Sequence, residues 1–348
     1  MKDIATEAGV SIGTVSNVIN GNIAVRPAVH RRVKEAIRTL GYQPSLLARS
    51  LRQNRTSMIG MVIPDITNPF FPAVVRGVED VAFQNSFRLV LCNTDNDIYK
   101  EESYFRDLQS YRTAGLLIIP SEHNKIDTMA ELDSGDVPVV CLDRRPENWL
   151  GDSVTVNNTE GVFAATSHLI KLGHRAIAMI IGSLHLRNAV ARLEGFREAI
   201  RKAKLEISPE YIQEGRFDRS NGYEKMRILL QQRPQPTAVV CGNDLIALGV
   251  LSALREAGLH CPQDVSVVGF DDIELSELTD PSLTTVFQPG YQMGARAAAL
   301  LIKRLQGSKE PTQNIVLPTE LKIRHSVCPP REDVFLKQTR TKSSSAKY

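Results

Sequence analysis

The apolar residues near the start of the chain recur every three or four positions in three short stretches, at 3–9, 12–20 and 27–40. This spacing predicts three amphipathic helices, each with one face turned toward a shared core. A Gly-Val-Ser sequence joins the first two helices, and Asn20-Gly21 follows the second, where glycine readily adopts the left-handed conformation that ends a helix. Two short helices joined in this way predict a helix-turn-helix, whose second helix fits the major groove of DNA.

A different pattern begins at residue 57, where apolar runs alternate with helical stretches. The runs lack the alternation of polar and apolar residues that marks a half-exposed strand, so they predict strands buried on both faces of a parallel sheet. Two successive series of runs predict two doubly wound α/β subdomains, with a ligand cleft at the carboxyl ends of their strands. The first series is 58–64, 87–92, 114–120 and 137–142, and the second is 175–182, 237–242 and 264–270.

The charge is distributed unevenly along the chain. The net charge is +3, yet residues 1–60 carry nine Lys/Arg against three Asp/Glu, so the remainder is net negative. This asymmetry indicates a basic module that faces a polyanion, attached to a mildly acidic body. The start of the chain lacks the apolar core of a signal peptide, no run is long enough to span a membrane, and the five cysteines are scattered. These features predict a cytoplasmic protein with reduced thiols and no membrane association.

Common enzyme signatures do not occur in the sequence. It contains no GxxxxGK[ST] loop, no GxGxxG and no HExxH, and its seven histidines show no zinc-ligand spacing. Residues 9–13 fit the pattern G-x-S-x-G, but a nucleophile elbow needs a buried strand before it, and here a short helix precedes it. We therefore expect no catalytic residues, no cofactor and no metal.

Two interpretations of the first three helices are open: a small bundle with a solvated basic face, or a DNA-binding unit. The second helix favours the DNA-binding unit, because its outward positions carry short polar side chains that can reach phosphates and base edges. These outward residues are Thr14, Ser16, Asn17 and Asn20. Ser11 and Ile12, at the start of the helix, are added to the predicted DNA contacts, Ile12 on the strength of the resemblance given next.

Longer stretches carry a resemblance to a known family. KDIATEAGVSIGTVSNVING and VKEAIRTLGYQPSLLARSL resemble the headpiece of the lactose-repressor (LacI) family of bacterial regulators, most closely its purine- and ribose-repressor branch. In the body, DITNPFF, VVCLDRR, RLEGFREA, GNDLIALG and CPQDVSVVGFDD resemble family signatures. The resemblance covers nearly the whole chain. It implies a transcriptional regulator, expected to be a repressor, with a body like that of type I periplasmic sugar-binding proteins.

The resemblance also implies roles for residues of the headpiece. Ile12, Gly13 and Asn17 occupy the base-reading positions, with Thr14 and Ser16 nearer the DNA backbone. Asn17 can pair with adenine, and Ile12 can contact a thymine methyl group. The family more often carries Arg or His at position 17, and Gly13 offers no side chain, so the operator sequence does not transfer from relatives.

Residues 44–52 show a short apolar and basic helical pattern, which by itself predicts only a linker helix. The resemblance implies a hinge helix that folds on the operator and inserts Leu51 into the minor groove, with Ala48 and Arg52 beside it. A helix of this length is marginal in isolation. Its stability can therefore depend on how closely two copies are held.

Polar residues follow several of the predicted strands, and each has two interpretations: it caps the next helix, or it lines a cleft. Asp65, Asp143, Asn243, Asp244 and Asp271 stand at such positions. The resemblance implies an effector site, and the side chains assigned to it are Phe70, Phe71, Asp143, Arg187, Arg192, Phe217, Asn243, Asp271 and Gln288. A neutral sugar, a sugar acid, a sugar phosphate and a purine all remain open as effectors.

These expectations combine into one organisation. Residues 1–43 form the DNA-binding domain, 44–56 the hinge and linker, 57–328 the effector-binding and dimerisation domain, and 329–348 a tail predicted to be disordered. The chain is expected to cross between subdomains three times, giving an N-subdomain of about 57–156 and 287–316 and a C-subdomain of about 157–286 and 317–328. The expected partners are double-stranded operator DNA, a small-molecule effector and a second copy of the chain. A carbohydrate-binding transport receptor and a carbohydrate-metabolism enzyme on a similar fold are the alternatives.

Overall fold

The structure is a computed structural model that describes residues 1–19, 25–41, 56–122 and 137–331. The chain divides into two compact units, Met1–Ser57 and Met58–Tyr348. Each unit is built as the hydrophobic pattern predicts, with a helical first unit and a second unit of parallel strands and helices.

The first unit contains three described helices: α1 (Lys2–Ala8), α2 (Ile12–Ile19) and α3 (Pro27–Thr39). Their apolar faces meet in one small core that includes the fully buried Val15 and Val33. Gly9 follows α1 with φ 61°, which gives the tight turn before α2. The helix-turn-helix prediction is therefore confirmed.

The second unit contains twelve described strands and eight described α-helices. The strands are β1 (Met58–Ile63), β2 (Arg88–Asn93), β3 (Gly115–Ile118), β4 (Val139–Leu142), β5 (Asp152–Val156), β6 (Ile177–Ile181), β7 (Ile212–Glu214), β8 (Ala238–Cys241), β9 (Ser266–Asp271), β10 (Thr284–Phe287), β11 (Asn314–Leu317) and β12 (Glu320–Lys322). The helices are α4 (Phe70–Gln84), α5 (Ile98–Ser110), α6 (Asn158–Lys171), α7 (Arg187–Lys202), α8 (Arg219–Leu229), α9 (Asp244–Glu256), α10 (Leu275–Leu278) and α11 (Gly290–Leu305), with a 3₁₀ turn at Pro209–Tyr211.

The strands form two six-stranded sheets, in the orders β11-β5-β4-β3-β1-β2 and β12-β10-β9-β8-β6-β7. Every neighbouring pair is parallel except β10 and β12, which are antiparallel. We call the part built on the first sheet the first lobe and the part built on the second sheet the second lobe. Two doubly wound lobes confirm the predicted fold class.

The chain passes between the lobes after Val156, after Phe287 and after Leu317. Phe287 pairs with Asp271 in the second sheet, and Leu317 pairs with Val156 in the first. Phe287 therefore belongs to the second sheet and Leu317 to the first, close to the approximate subdomain bounds expected from the sequence.

The described residues extend three positions into the predicted tail. Arg331 forms an ion pair with Asp264 at 2.6 Å, and the backbone carbonyl of Cys328 lies 2.8 Å from Nε2 of the buried His174. Residues 329–331 thus pack on the second lobe. Residues 332–348 lie outside the described residues.

Helices α4 and α11 pack tightly on one face of the first sheet, and glycine makes their close approach possible. A Cβ atom added at Gly294 of α11 would overlap the backbone carbonyl oxygen of Val74 in α4. The two backbones therefore have to separate to admit even a methyl group.

We expect Gly294→Ala to lower the free energy of unfolding by about 1–3 kcal/mol or more, because overpacking against backbone cannot be relieved by a side-chain rotation. Urea unfolding of the full chain measures the loss. Gln292→Ala, at an exposed position of the same helix, is the control. Equal stability of the two variants would show that the helices are not in close contact at Gly294.

Candidate functional site

A cluster of buried polar side chains lies where strands of the second lobe end, beside the first lobe. Its centre is Arg192 of α7, which is only 2% exposed. The Arg192 Nε donates a hydrogen bond to Asn158 Oδ1 at 2.7 Å, and its Nη1 donates to the carbonyl oxygen of Gly242 at 2.6 Å. The guanidinium carbon lies 3.7 Å from the ring centroid of Phe270 and 5.6 Å from that of Phe217. Backbone, amide and two rings thus hold the guanidinium in one orientation.

Asp271, the last residue of β9, faces this guanidinium. Its Oδ1 lies 3.9 Å from Arg192 Nη1 and accepts a hydrogen bond from Gln288 Nε2 at 2.6 Å. Burial raises the pKa of Asp271 well above its ordinary value, and the neighbouring Arg192 opposes that rise. Burial likewise lowers the pKa of Arg192, and Asp271 opposes it. Each group therefore depends on the other to remain charged away from water.

The first lobe contributes a second set of buried polar groups, centred on Asp143 after β4. Asn188 of α7 donates a hydrogen bond to Asp143 Oδ2 at 3.2 Å, which links the two lobes directly. Arg144 is 7% exposed and donates to Asn96 Oδ1 at 2.8 Å and to the carbonyl oxygen of Pro120 at 3.2 Å. Its guanidinium also lies 5.8 Å from the ring centroid of Phe71.

Several buried polar atoms of this cluster have no hydrogen-bond partner among the described residues. They are Asp143 Oδ1, Arg144 Nε and Gln288 Oε1. Buried polar groups are rarely left unsatisfied in native structures, so these atoms are available to water or to a polar ligand. Asp143 and Asp271 also have positive φ angles, of 55° and 124°, which L-residues rarely adopt and which concentrate at binding sites.

The remaining predicted cleft residues lie in different surroundings. Asn243 caps α9, because its Oδ1 accepts a hydrogen bond from Ile246 N at 2.9 Å. Asp65 similarly accepts one from Thr67 N at 2.9 Å. The capping interpretation thus holds for Asn243, which is also buried beside Gly242. Asp65 instead closes a turn before α4, because that helix begins after Pro69 and has no side-chain cap.

Aromatic rings and a rim arginine complete the predicted set. Phe70 and Phe71 are buried at the start of α4 with their ring centroids 5.4 Å apart. Arg187 is different: its side chain is 57% exposed and pairs with Glu147 at 3.0 Å. The structure does not bring Arg187 into the buried cluster.

The sequence analysis missed Arg144, Asn158 and Asn188 in this cluster. Arg144 falls inside VVCLDRR, a stretch that the family resemblance singled out, so that signature was an available signal. Asn158 and Asn188 stand at the starts of α6 and α7, where an asparagine is more simply interpreted as a helix cap.

Asp244 is fully buried and acts inside the second lobe. Its carboxylate accepts hydrogen bonds from Ile273 N at 3.0 Å, Ser276 Oγ at 2.7 Å and Thr285 Oγ1 at 2.6 Å. It therefore ties the start of α9 to β10 and to the turn that follows Asp271.

Helix α2 of the first unit presents the side chains predicted to read DNA. Ile12 is 45% exposed and Asn17 is exposed, while Thr14 and Ser16 are half-buried. Ser11 Oγ accepts a hydrogen bond from Thr14 N at 3.1 Å, as a helix cap does. Asn20, Ala48, Leu51 and Arg52 lie outside the described residues. The exposed cations of α3 are Arg31, Arg32, Lys34 and Arg38.

Within the described ranges, no group of three or more His, Cys, Asp or Glu side chains is placed to hold a metal ion. Of the helices described, none is long and apolar enough to cross a bilayer.

A helix-turn-helix with exposed polar side chains, followed by a two-lobed unit with buried and unsatisfied polar groups, defines a ligand-responsive DNA-binding protein. The model of "Bacterial regulatory proteins, lacI family" matches residues 1–45, and that of the periplasmic binding protein-like domain matches residues 166–327. An HTH-type transcriptional repressor PurR of Histophilus somni (strain 129Pt) is 40% identical over 329 residues, 94% of this chain and 98% of that protein. The chain belongs to the LacI family and is a DNA-binding transcriptional regulator controlled by a small-molecule effector.

Two solved structures support this assignment. A Lac repressor dimer bound to operator and the anti-inducer ONPF has a TM-score of 0.84 at 26% identity, over 94% of this chain and 98% of that one. A complex of the transcriptional regulator CelR with cellobiose has a TM-score of 0.73 at 34% identity, over 93% of this chain and 98% of that one.

The environment of Asp244 predicts a pH dependence of stability. Burial raises the pKa of this carboxyl from its ordinary 3.8 to about 6, although the hydrogen bonds from Thr285 and Ser276 oppose the rise. Because the folded state disfavours the charged form, stability is lost as the pH rises from about 4 through 6, by about 3 kcal/mol.

Asp244→Asn removes this titration, so its free energy of unfolding should fall less than that of the wild type between pH 4 and 7. Urea unfolding at a series of pH values measures the difference. Asp280→Asn, at an exposed position of the same lobe, controls for the loss of one negative charge. An unchanged pH dependence in Asp244→Asn would show that Asp244 does not titrate in this range.

Proposed function

We propose that this protein is a repressor that binds a pseudo-palindromic operator as a homodimer, and that a neutral polyhydroxyl effector, a sugar, controls it from the cleft between the lobes. The observation that carries the proposal is the buried cluster around Arg192 and Asp271, with its unsatisfied atoms Asp143 Oδ1 and Gln288 Oε1. These two atoms accept hydrogen bonds and the unsatisfied Arg144 Nε donates one, and the hydroxyl groups of a sugar can both donate and accept.

Charge balance in the cluster supports a neutral effector. Arg192 has Asp271, Asp143 and Asp244 as its acidic neighbours, and Arg144 has Asp143 within 3.9 Å. Asp271 and Asp143 therefore already face the buried arginines, so an anionic ligand would find no buried cation without an acidic neighbour. Arg187, the cation that a sugar acid or phosphate could use, is exposed and paired with Glu147. The rings of Phe70, Phe71 and Phe217 offer the flat apolar surface that sugars favour.

We propose effector contacts from Asp143, Arg192, Asp271 and Gln288, with Asn243 beside them and Arg187 at the rim. The relative that was solved in complex with cellobiose supports a sugar as the class of effector. Regulation rather than catalysis follows from the same arrangement, because the buried acids and arginines are paired with one another and the matched relatives are repressors. The expected partner is operator DNA. We therefore propose that the protein acts in the cytoplasm, where that DNA lies.

On the DNA side, we propose that residues 1–43 read the operator through α2 and that 44–56 form the hinge and linker. Ile12 and Asn17 are exposed, as base-reading side chains must be. Leu51, with Ala48 and Arg52, remains the proposed minor-groove wedge, at positions outside the described residues. The Lac repressor structure with operator supports the dimeric arrangement.

The proposal is tested in two steps with the full-length protein. Thermal shift and calorimetry compare D-ribose, D-glucose and cellobiose with D-gluconate, glucose 6-phosphate and adenine. Selection from random duplexes then identifies the operator, and its affinity is measured with and without the bound compound. A neutral sugar that binds and changes operator affinity supports the proposal. Sugar binding without any operator would instead indicate a transport receptor, and conversion of the sugar would indicate an enzyme.

Arg192→Ala should abolish the response to the sugar while the variant still binds operator, because the guanidinium holds Asp271 in place and offers donors to the ligand. Removing one partner of a buried pair costs about 3–5 kcal/mol of stability, so the thermal midpoint is measured alongside operator affinity. Arg197→Ala, at an exposed position of the same helix, is the control. A normal sugar response in Arg192→Ala would remove Arg192 from the site.

Asn17→Ala should weaken binding to the selected operator by about 1–3 kcal/mol for each half-site in which the asparagine no longer pairs with a base. Binding to non-sequence-specific DNA should change little, because it depends on phosphate contacts. Fluorescence anisotropy with both duplexes measures the two affinities. If the variant keeps the operator preference of the wild type, Asn17 does not contact a base.

A further inference from the structure

All five cysteines are free, and two of them differ from the rest in their surroundings. Cys92, Cys141 and Cys241 are buried, whereas Cys261 and Cys328 are partly exposed. Cys261 belongs to the turn before β9, and Cys328 follows β12. Both thiols lie on the second lobe, and neither is part of the buried polar cluster around Arg192.

Each of these two thiols contacts the chain beside the other. Cys261 Sγ donates a hydrogen bond to the carbonyl oxygen of Ser326 at 3.5 Å, two residues before Cys328. Cys328 Sγ donates one to the carbonyl oxygen of Pro262 at 3.3 Å, one residue after Cys261. The two contacts run in opposite directions between the same two segments, so the thiols are neighbours.

Further contacts hold both segments in place. The turn before β9 is closed by His260 N, which donates to Asp264 Oδ2 at 2.7 Å. Cys328 N donates to Ser266 Oγ, at the start of β9, at 3.1 Å. The ion pair between Arg331 and Asp264, at 2.6 Å, joins the two segments directly. Both cysteines are therefore anchored at the amino end of β9.

A disulfide requires two Cα atoms about 4.4–6.8 Å apart, and adjacent, anchored segments are the arrangement that allows it. We propose that Cys261 and Cys328 are an oxidisable pair, which hydrogen peroxide converts into an intramolecular disulfide and a thiol reductant restores. The pair is a modification site outside the effector cleft, and it does not depend on the proposed function.

The surroundings of the two thiols set the order of the reaction. Burial raises the pKa of Cys328, but a hydrogen bond with Ser266 and the charge of Arg331 oppose that rise. Burial raises the pKa of Cys261 to about 12, and the neighbouring Cys328 adds to the rise. Because the thiolate is the nucleophile, Cys328 reacts with the peroxide first.

The reaction proceeds in two balanced steps. The Cys328 sulfur attacks one peroxide oxygen, the O–O bond breaks, and the departing hydroxide takes the Cys328 thiol proton to give water and a sulfenic acid. The Cys261 sulfur then attacks the Cys328 sulfur, the S–O bond breaks, and the second hydroxide leaves as water with the Cys261 thiol proton. Two thiols and one hydrogen peroxide thus give one disulfide and two water molecules.

The crosslink has a consequence for stability. It closes a long loop that contains β9, α10, β10, α11, β11 and β12. A disulfide stabilises chiefly by restricting the unfolded chain, and more so when the loop is long. We expect oxidation to raise the thermal midpoint by about 4 °C or more, and reduction to reverse the rise.

The test treats the full-length protein with hydrogen peroxide, followed by alkylation and trypsin digestion without reduction. Cleavage after lysine and arginine leaves Cys241, Cys261 and Cys328 on three different peptides, so mass spectrometry identifies which thiols are linked. Thermal midpoints are measured before oxidation, after it, and after dithiothreitol. The variants are Cys261→Ser and Cys328→Ser, and Cys92→Ser, at a buried cysteine of the first lobe, is the matched control.

Peptides linked through Cys261 and Cys328, with a thermal midpoint that rises and falls with the crosslink, support the proposal. Cys261→Ser should stop at the sulfenic acid of Cys328, which dimedone traps, and Cys92→Ser should crosslink as the wild type does. The linkage in the wild type decides the question even if a serine variant does not fold.

Three results overturn the proposal. The first is a disulfide between Cys241 and Cys261 or between two copies of the chain. The second is further oxidation of Cys328 without a crosslink. The third is five unreacted thiols in the wild type under conditions that fully oxidise free N-acetylcysteine. None of these results bears on sugar or operator binding, so the proposed function stands or falls separately.

Discussion

The second unit is organised around one constraint: a guanidinium, that of Arg192, is buried almost completely between two aromatic rings. A charge removed from water is tolerated only when ionic and hydrogen-bonding partners surround it. Asp271 supplies the opposite charge. Arg192 also donates hydrogen bonds to the backbone carbonyl of Gly242 and to the side chain of Asn158, which lies where the chain first passes between the lobes. The need to compensate one buried charge therefore links the ligand cleft with the connections between the lobes.

Backbone strain occurs close to the buried guanidinium of Arg192. Asp143, Asp271 and Asp272 all have positive φ angles, which cost of order 1–3 kcal/mol each for residues other than glycine. The backbone N–H of Ile273, immediately after the strained pair, is held by the buried carboxylate of Asp244. The second lobe thus keeps a strained turn in place by burying a second acid behind it. This explains how a short segment can aim one carboxylate into the cleft and the next one away from it.

Much of this architecture could be predicted from hydrophobic patterning, because buried parallel strands and amphipathic helices differ in period. Seven apolar runs predicted seven strands, but β5, β7, β10, β11 and β12 were not predicted. Of these, β7, β11 and β12 are partly exposed edge strands, with too few buried residues to leave a periodic signal. The family resemblance predicted Asp143, Arg192 and Asp271 as candidate residues of the effector site. Which candidate enters the cluster depends on tertiary placement: Arg187 stands five residues before Arg192 on the same helix, yet it lies at the surface.

The polar contacts between the two lobes are weak, so a ligand with a modest preference for one lobe arrangement can shift the protein toward it. Each lobe has an apolar core on its own sheet, and Leu245, Leu248 and Ile273 of the second lobe also pack against the core of the first. By comparison, the polar contacts across the cleft are weak: among the described residues they include a hydrogen bond between Asn188 and Asp143 and an exposed ion pair between Arg187 and Glu147. Exposed ion pairs contribute about 0–1 kcal/mol, and a typical hydrogen bond about 0.5–1.5 kcal/mol net. A ligand needs only to bind one lobe arrangement better than the other by a few kcal/mol to shift the population between them. If the proposed sugar satisfies Asp143 Oδ1 and Gln288 Oε1 in one arrangement alone, these hydrogen bonds supply a difference of that order.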